Sequence, residues 1–178
     1  MIKRIVVFGA ESTGKSTLAA RLGAHFGAPV VPEFVRGFWD ERAGLITAED
    51  LDTIARGQMK TEDAAAAAPC TKRLLFCDTD LLTNVLWADL LFPGKCPAWV
   101  RTEAEARCRN YTLYLLCDTD MAFAPDPQRC FPAEKDRQMC RQLWRETLVS
   151  RSLSMVEIRG EWQERERLAI TAVESFAL

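Results

Sequence analysis

The feature that most constrains the fold is the segment 9–16, which reads G-A-E-S-T-G-K-S and fits the phosphate-loop pattern G-x-x-x-x-G-K-[ST] in full. A β-branched run precedes it and apolar residues at helical spacing follow it, so the loop is expected between a strand and a helix. Gly9 and Gly14 allow the backbone angles with which a row of amide N–H groups surrounds a phosphate. The pattern therefore predicts a phosphate-binding loop in an α/β fold.

The side chains of this loop have expected roles of their own. Lys15 is expected to reach the β- and γ-phosphates of a nucleoside triphosphate, and the hydroxyl of Ser16 to bind Mg²⁺. The N terminus of the following helix adds partial positive charge. The residues predicted to contact the nucleotide are Gly9, Glu11, Ser12, Thr13, Gly14, Lys15, Ser16 and Thr17.

Along the rest of the chain, apolar stretches of strand length alternate with helical ones. Strands are predicted at 3–8, 30–31, 74–77, 111–117 and 155–158. Helices are predicted at 15–26, from a capping box at 47–50 towards Ala68, at 81–91, around 103–109, at 133–149 and at 161–176. Strands joined by helical crossovers predict an α/β fold, a parallel five-stranded sheet with helices on both faces.

Length and composition exclude several classes of protein. The 178 residues fit one domain, predicted to span 1–178, and the net charge of -2 disfavours a nucleic-acid binder. No apolar run approaches 18 residues, so no membrane partner is predicted. Seven cysteines without a Cys-x-x-Cys pair and a single histidine give no zinc pattern, which predicts reduced thiols in the cytoplasm. The oligomeric state stays open.

Acidic residues are expected at the carboxyl ends of three strands, where parallel sheets bind their ligands: Glu33, Asp78, and Asp118 with Asp120. Asp78 ends the third strand beside the phosphate loop and is predicted to hold Mg²⁺, with a helix N-cap as the alternative. Glu33 follows the second strand and is a candidate general base, with a surface pair to Arg36 as the alternative. Asp80 is expected to cap the next helix unless it binds substrate.

The segment 118–145, which we term the lid segment, is rich in proline at first and then in arginine. Arg129 lies in its irregular half and is a candidate catalytic contact to the transferred phosphate, because a movable arginine can neutralise charge there. Arg137, Arg141 and Arg145 recur every four residues along one helix face, which is also typical of a solvated surface.

Aromatic residues give weaker signals. Phe38 and Trp39 follow Arg36 directly and are candidates for the wall of a pocket that takes a flat ring. Trp87, Trp144 and Trp162 fall at helical positions and are predicted to belong to the core.

Taken together, these motifs resemble the ribosylnicotinamide kinase domain of NadR-type proteins, over almost the whole chain. The matching pieces are the segment 9–18, the Val-Pro-Glu-Phe-Val-Arg run at 31–36, Asp78 to Asp80 with 84–87 nearby, 111–116, and 156–160 with Arg165. The most specific of them are Glu-Ser-Thr-Gly-Lys-Ser-Thr and Pro-Glu-Phe. The resemblance implies a P-loop kinase-like sheet with a short lid.

The resemblance also implies an activity, namely transfer of the γ-phosphoryl group of ATP, with Mg²⁺, to the 5′-hydroxyl of nicotinamide riboside. Lys15, Glu33, Asp78 and Arg129 are then the expected catalytic residues. The residues expected to contact the acceptor are Glu33, Arg36, Asp80, Phe123 and Asp126. The adenylyltransferase half of such proteins is absent from this sequence, since His25 alone cannot form an HxGH-type motif.

One segment departs from the family pattern, which usually reads Asp-x-Pro-Trp-x-x-Asp-Gly-x-Arg after the fourth strand. In this chain the segment 120–129 keeps the aspartates and Arg129, but Phe123 replaces tryptophan and Pro127 replaces glycine. In the family this segment helps to hold the riboside, and Phe123 can still stack on an aromatic ring.

Other functions remain open from the sequence. The acceptor of the kinase could be another nucleoside or a vitamin alcohol. A P-loop ATPase and a nucleotide-binding regulator without turnover are alternatives from other classes. A GTPase is poorly supported, because asparagine occurs only at 84 and 110 and no Asn-Lys-x-Asp motif exists.

Overall fold

The structure, a computed structural model, describes residues 2–71 and 73–177. The strands are β1 (Lys3–Phe8), β2 (Val30–Val31), β3 (Leu74–Asp78), β4 (Leu113–Cys117) and β5 (Met155–Ile158). The α-helices are α1 (Lys15–Phe26), α2 (Phe34–Glu41), α3 (Leu51–Ala67), α4 (Leu81–Leu91), α5 (Ala98–Cys108), α6 (Glu134–Val149) and α7 (Trp162–Ala177), and a 3₁₀ turn, Ala48–Asp50, precedes α3.

The five strands form one parallel sheet in the order β2-β3-β1-β4-β5. Helices α1 and α7 pack on one face, where Leu18, Leu22 and Val173 lie against Ile5 and Val7 of β1. Helices α3 to α6 cover the other face. The predicted α/β fold with helices on both faces is confirmed.

The sheet order explains where a site must form. The central strand β1 has β3 on one side and β4 on the other, so the chain leaves β1 and β4 towards opposite edges of the sheet. Ligands of parallel sheets bind at such a switch point, outside the carboxyl ends of the strands. The phosphate loop follows β1 directly and therefore lies at this point.

The structure adds one helix that the sequence pattern did not predict. Helix α2 begins at Phe34, directly after the second strand, and ends at Glu41. The helix around 103–109 begins earlier, at Ala98, and the fourth strand begins later, at Leu113.

The lid segment divides at Ala133. Residues 118–133 contain neither helix nor strand, whereas α6 packs into the core through Cys140, Trp144 and Leu148. Helix α6 is therefore fixed in the core, whereas the irregular part contacts the core through the half-buried ring of Phe131, which stacks on Trp87.

Candidate active site

Two glycines shape the loop between β1 and α1. Gly9 has a φ of +149°, and a Cβ there would lie 2.8 Å from the carbonyl oxygen of Cys117. Gly14 has a φ of +79°, caps α1, and would bring a Cβ within 2.8 Å of the Trp162 ring. A side chain at either position is therefore strained and crowded. The first turn of α1 carries no acidic residue, so its partial positive charge stays available to an anion.

Lys15 is held at the loop by its own backbone. Its Nζ donates to the carbonyl oxygen of Ala10 at 2.8 Å, and the Thr13 hydroxyl donates to the same oxygen at 2.8 Å. Lys15 is half-buried. To bind a phosphate, its ammonium would exchange the Ala10 carbonyl oxygen for a phosphate oxygen. The loop is therefore folded with its cation in place.

A cavity of about 710 Å³ opens beside the loop. One end is formed by the loop residues 11–17, and Glu33, Arg36 and Arg129 also line it. The far walls come from α2, α3, α4 and the segments that follow α2 and α4, and they are largely apolar: Val35, Trp39, Ile46, Leu51, Ile54, Trp87, Leu91 and Phe92. A cavity with charged groups at one end and flat apolar walls at the other suits a phosphorylated compound and a ring.

Glu33 lies in this cavity at the start of α2. It is the N-cap residue of the helix, yet its side chain makes no capping hydrogen bond, so the carboxylate is free for other partners. Burial raises the pKa of Glu33, the charge of Lys15 opposes that rise, and the charge of Asp78 adds to it. A carboxylate with a raised pKa beside a phosphate site is a suitable proton acceptor.

Asp78 ends β3 and is buried. Its Oδ1 has no hydrogen-bond partner among the residues that the structure describes. An orphaned buried carboxylate oxygen is costly unless a cation or another ligand satisfies it. Together with the exposed hydroxyl of Ser16, it is a donor set of hard oxygens, which fits Mg²⁺.

The loop residues Glu11 and Ser12 hold residues 118–133 over the phosphate site. The carboxylate of Glu11 accepts from the backbone N–H groups of Cys130 at 3.0 Å and Phe131 at 2.5 Å. The hydroxyl of Ser12 accepts from the Ala124 N–H at 2.8 Å and from Arg129 at 3.3 Å. Arg129 thereby reaches the loop from the opposite wall.

Three residues expected at the acceptor lie outside the cavity wall. Asp80 caps α4, where its carboxylate accepts from the Thr83 N–H at 3.2 Å and from the Tyr114 hydroxyl at 2.7 Å. Asp126 pairs with Arg36 at 3.3 Å. The ring of Phe123 faces the guanidinium carbons of Arg129 and Arg137, at 5.8 and 5.7 Å from its centroid.

The remaining arginines of the lid segment serve the fold. Arg137 is buried and donates to the carbonyl oxygens of Thr119 and Met121 at 2.8 and 2.7 Å. Arg141 pairs with Asp118 at 2.6 Å and Arg145 with Glu157 at 2.8 Å. Each holds α6 to the carboxyl end of β4 or to β5.

Among the aromatic candidates, Trp39 lines the cavity as predicted for a pocket wall. Phe38 instead stacks on Phe34, with 6.0 Å between ring centroids. Trp87, predicted as a core residue, both packs on the buried Trp144 and lines the cavity.

Sequence reasoning missed Gln58 and assigned no role to Arg165, which it named only as part of the resemblance. Gln58 on α3 lines the cavity and accepts from the Phe34 N–H through Oε1 at 2.8 Å. Arg165 on α7 is buried and donates to the carbonyl oxygens of Thr13 and Asp118 at 3.2 and 3.1 Å. The signal for Gln58 was a polar residue at the i+4 position of Ile54, within a buried helix face.

Comparison with known proteins agrees with this geometry. The model of the AAA domain family AAA_28 matches residues 4–165, which is most of the chain. The chain belongs to this AAA domain family. Its sequence is also similar to the trifunctional NAD biosynthesis/regulator protein NadR of Escherichia coli (strain K12), with 23% identity over 164 residues. That match covers 90% of this chain and 39% of NadR, so this AAA domain spans about two fifths of its curated relative.

Solved structures share the fold of this AAA domain. A NadR protein in complex with NR superposes with a TM-score of 0.79 and 23% identity, covering 99% of this chain and 52% of that one. Deoxyadenosine kinase from M. mycoides superposes with a TM-score of 0.64 and 12% identity, covering 97% and 99%. The expected resemblance to NadR-type proteins and the P-loop kinase fold are thereby confirmed.

Within the described ranges, 2–71 and 73–177, no helix combines the length and the apolar character needed to cross a membrane. All seven cysteines are free thiols.

Proposed function

We propose that the chain is an ATP-dependent phosphotransferase that phosphorylates the 5′-hydroxyl of nicotinamide riboside. One observation carries this proposal: Glu33, a carboxylate with a raised pKa, shares a cavity with a complete phosphate loop. An ATPase or a passive nucleotide sensor has no need of apolar walls beside the phosphate loop together with a carboxylate of raised pKa. The free thiols are consistent with the predicted cytoplasmic location.

In the proposed reaction, the phosphates of ATP occupy the loop 11–17 and the helix terminus behind it. Lys15 leaves the Ala10 carbonyl and neutralises the β- and γ-phosphates, while Arg129 approaches the transferred group from residues 118–133. Glu33 orients the acceptor hydroxyl and takes its proton as the oxygen attacks the γ-phosphorus. The products are ADP and the phosphorylated nucleoside.

Asp78 and Ser16 would hold the Mg²⁺ that such reactions use. The ion supplies charge neutralisation to the phosphate oxygens when it is bound. Asp78 has a second effect of its own, because its negative charge helps to raise the pKa of Glu33.

The walls of the cavity and the comparisons support nicotinamide riboside as the proposed acceptor. Trp39 and Trp87 offer flat faces on two different helices, and such faces attract a cationic ring like that of nicotinamide riboside. The similar NadR protein was solved in complex with NR. Similarity to deoxyadenosine kinase favours another nucleoside as the second candidate acceptor.

The test is product analysis of the purified protein with ATP, Mg²⁺ and a panel of nucleosides that includes nicotinamide riboside. We expect ADP and nicotinamide mononucleotide in equal amounts. If only a different nucleoside is phosphorylated, the proposed acceptor is wrong and the proposed kinase activity stands. ADP release that does not depend on any acceptor would overturn the kinase itself.

A further inference from the structure

Only one of the two polar atoms of the Gln58 side chain has a hydrogen-bond partner among the described residues. Its side chain is only 2% exposed, and its Oε1 accepts from the backbone N–H of Phe34 at 2.8 Å. Because a backbone N–H can only donate, this contact fixes which end of the amide is oxygen. The amide nitrogen must then point away from Phe34.

That nitrogen, Nε2, has no partner among the described residues. A buried donor left unpaired destabilises the folded protein, and most buried side-chain polar atoms in proteins are paired. A bound ligand that accepts from Nε2 would remove this cost. Gln58 lines the cavity, so the cavity is the side from which a ligand would approach this buried amide.

The position of Gln58 indicates which part of a ligand it meets. Leu51, Ile54 and Gln58 are spaced along one side of α3, and all three line the cavity. The amide of Gln58 therefore lies at the end of an apolar stripe. In such an arrangement a ring packs on the apolar side chains, and the polar group forms a hydrogen bond with a substituent of the ring.

We propose that Gln58 is a specificity-determining residue of the acceptor site, which donates from Nε2 to a carbonyl oxygen on the flat ring of the acceptor. The inference rests on the proposed function and deepens it. The substrate class it selects is ring nucleosides with an exocyclic carbonyl, of which nicotinamide riboside, with its carboxamide, is one. The same side chain positions Phe34, the residue after Glu33, through its Oε1.

The experiment compares two acceptors in several variants. The acceptors are nicotinamide riboside and ribosylpyridinium, which carries the same cationic ring without the carboxamide. The ratio of their kcat/KM values isolates the carbonyl contact, since the charge of the ring and loss of Glu33 positioning affect both acceptors alike. In the wild type we expect nicotinamide riboside to be favoured roughly 5- to 100-fold.

Gln58→Met should bring this ratio close to 1, with the loss in KM for nicotinamide riboside and not in KM for ATP. Gln58→Glu keeps an oxygen for the Phe34 N–H but removes the donor, so it should also abolish the preference while the folded state is better preserved. Gln142→Met changes the same side chain at an exposed position of α6 and should leave the ratio unchanged.

Three outcomes would overturn the assignment. One is an unchanged ratio in Gln58→Glu and Gln58→Met with only a lower melting temperature, which marks a structural residue. Another is a loss of kcat/KM in the Gln58 variants that disappears with 2′- or 3′-deoxy analogues and is the same with and without the carboxamide, which marks a contact to the ribose. A wild type that phosphorylates none of these ribosides would remove the proposed function and this inference together, whereas the first two outcomes leave that function intact.

Discussion

Glu33 combines a raised pKa with a neighbouring ammonium, that of Lys15. The raised pKa, caused first by burial, makes the carboxylate a stronger proton acceptor, and the charge of Lys15 opposes that rise. The backbone position of Glu33 is set by β2 before it and by the Gln58–Phe34 hydrogen bond after it. The proposed base is thus positioned by two elements rather than by a flexible loop.

Glu33→Gln should lower kcat by about 10²- to 10⁴-fold and change the KM for ATP little, because the amide keeps the shape but cannot take the proton. In the wild type, kcat should fall as the pH decreases, because protonated Glu33 cannot accept the proton. The midpoint of this fall should lie above pH 4.5, because the pKa of Glu33 is raised from that value. Steady-state kinetics between about pH 4.5 and 8 test both points. Glu41→Gln, at the exposed end of α2, is the control, and a near-wild-type kcat in Glu33→Gln would move the base elsewhere.

Lys15→Ala should reduce phosphoryl transfer at least about 10²-fold while the protein stays folded. The loop keeps its shape without the ammonium, because Thr13 still donates to the Ala10 carbonyl and both glycines remain. Turnover and thermal unfolding measured on the same preparation separate the two effects. Lys60→Ala, on the exposed side of α3, removes an equal charge and should match the wild type; undiminished turnover in folded Lys15→Ala would refute the kinase proposal.

At the level of single residues, the sequence was informative where function depends on local spacing. The loop 9–16 and Glu33 follow directly from their strands, and the structure brings them into one cavity. Phe123 shows the limit, since its ring lies between Arg129 and Arg137, and the second of these belongs to a different element. The contact between Phe123 and Arg137 joins residues 14 positions apart, so no short sequence motif indicates it.

Helix α2 shows the same limit among the elements. Its sequence, Phe-Val-Arg-Gly-Phe-Trp-Asp-Glu, is rich in aromatic residues and contains Gly37, so its intrinsic helix propensity is low. Tertiary contacts compensate, because Gln58 satisfies the Phe34 N–H and the Phe34 ring packs on α3 at Gly57. Helices α1 and α4, which are rich in the strong helix formers alanine and leucine, begin and end at the predicted residues.

The packing of α2 on α3 can be tested with a pair of glycines. A Cβ at Gly57 would lie 2.2 Å from the Phe34 ring, so Gly57→Ala should push α2 and Glu33 out of position, at a cost of about 1–3 kcal/mol in stability and with a lower kcat. A Cβ at Gly37 meets nothing within 4 Å, so Gly37→Ala should instead stabilise by about 0.5–1 kcal/mol. Denaturant unfolding and kinetics of the two variants provide the measurement. Equal stability of both variants would show that the ring can turn aside without cost.

Across the whole molecule, a buried network of carboxylates and tyrosines lies beneath the site. Asp80 accepts from Tyr114, and Glu62 accepts from Tyr111 at 2.7 Å and from Arg4 at 2.7 Å. The two tyrosine rings pack edge to face, with 5.6 Å between centroids. The network joins α3 and the start of α4 to the sheet, so its protonation affects global stability.

Burial raises the pKa of Asp80 to about 6, against hydrogen bonds from Tyr114 and Thr83 that lower it. The folded protein therefore binds this proton more tightly than the unfolded chain. Its contribution is largest near pH 4 and is lost as the pH rises to about 6, by about 3 kcal/mol in all. Asp80→Asn has no carboxylate to titrate, so its free energy of unfolding should lack this pH-dependent contribution. Between pH 4 and 7 the wild type should therefore lose about 3 kcal/mol of stability relative to Asp80→Asn.

Urea unfolding of the wild type and of Asp80→Asn at several pH values tests this, with Asp40→Asn, the same change at an exposed position of α2, as the matched control. A stability difference between Asp80→Asn and the wild type that does not change with pH would refute the raised pKa of Asp80.

Arg165 has a consequence for the order in which the protein is made. It donates to Thr13 in the phosphate loop, although 152 positions separate them in the chain. A ribosome adds roughly 5–20 residues per second, so Arg165 is synthesised on the order of ten seconds after the phosphate loop. Until then the carbonyl groups of Thr13 and Asp118 lack this donor, and β1 and β4 lack the residue that bridges their ends. A nascent chain should therefore acquire nucleotide affinity only late in translation.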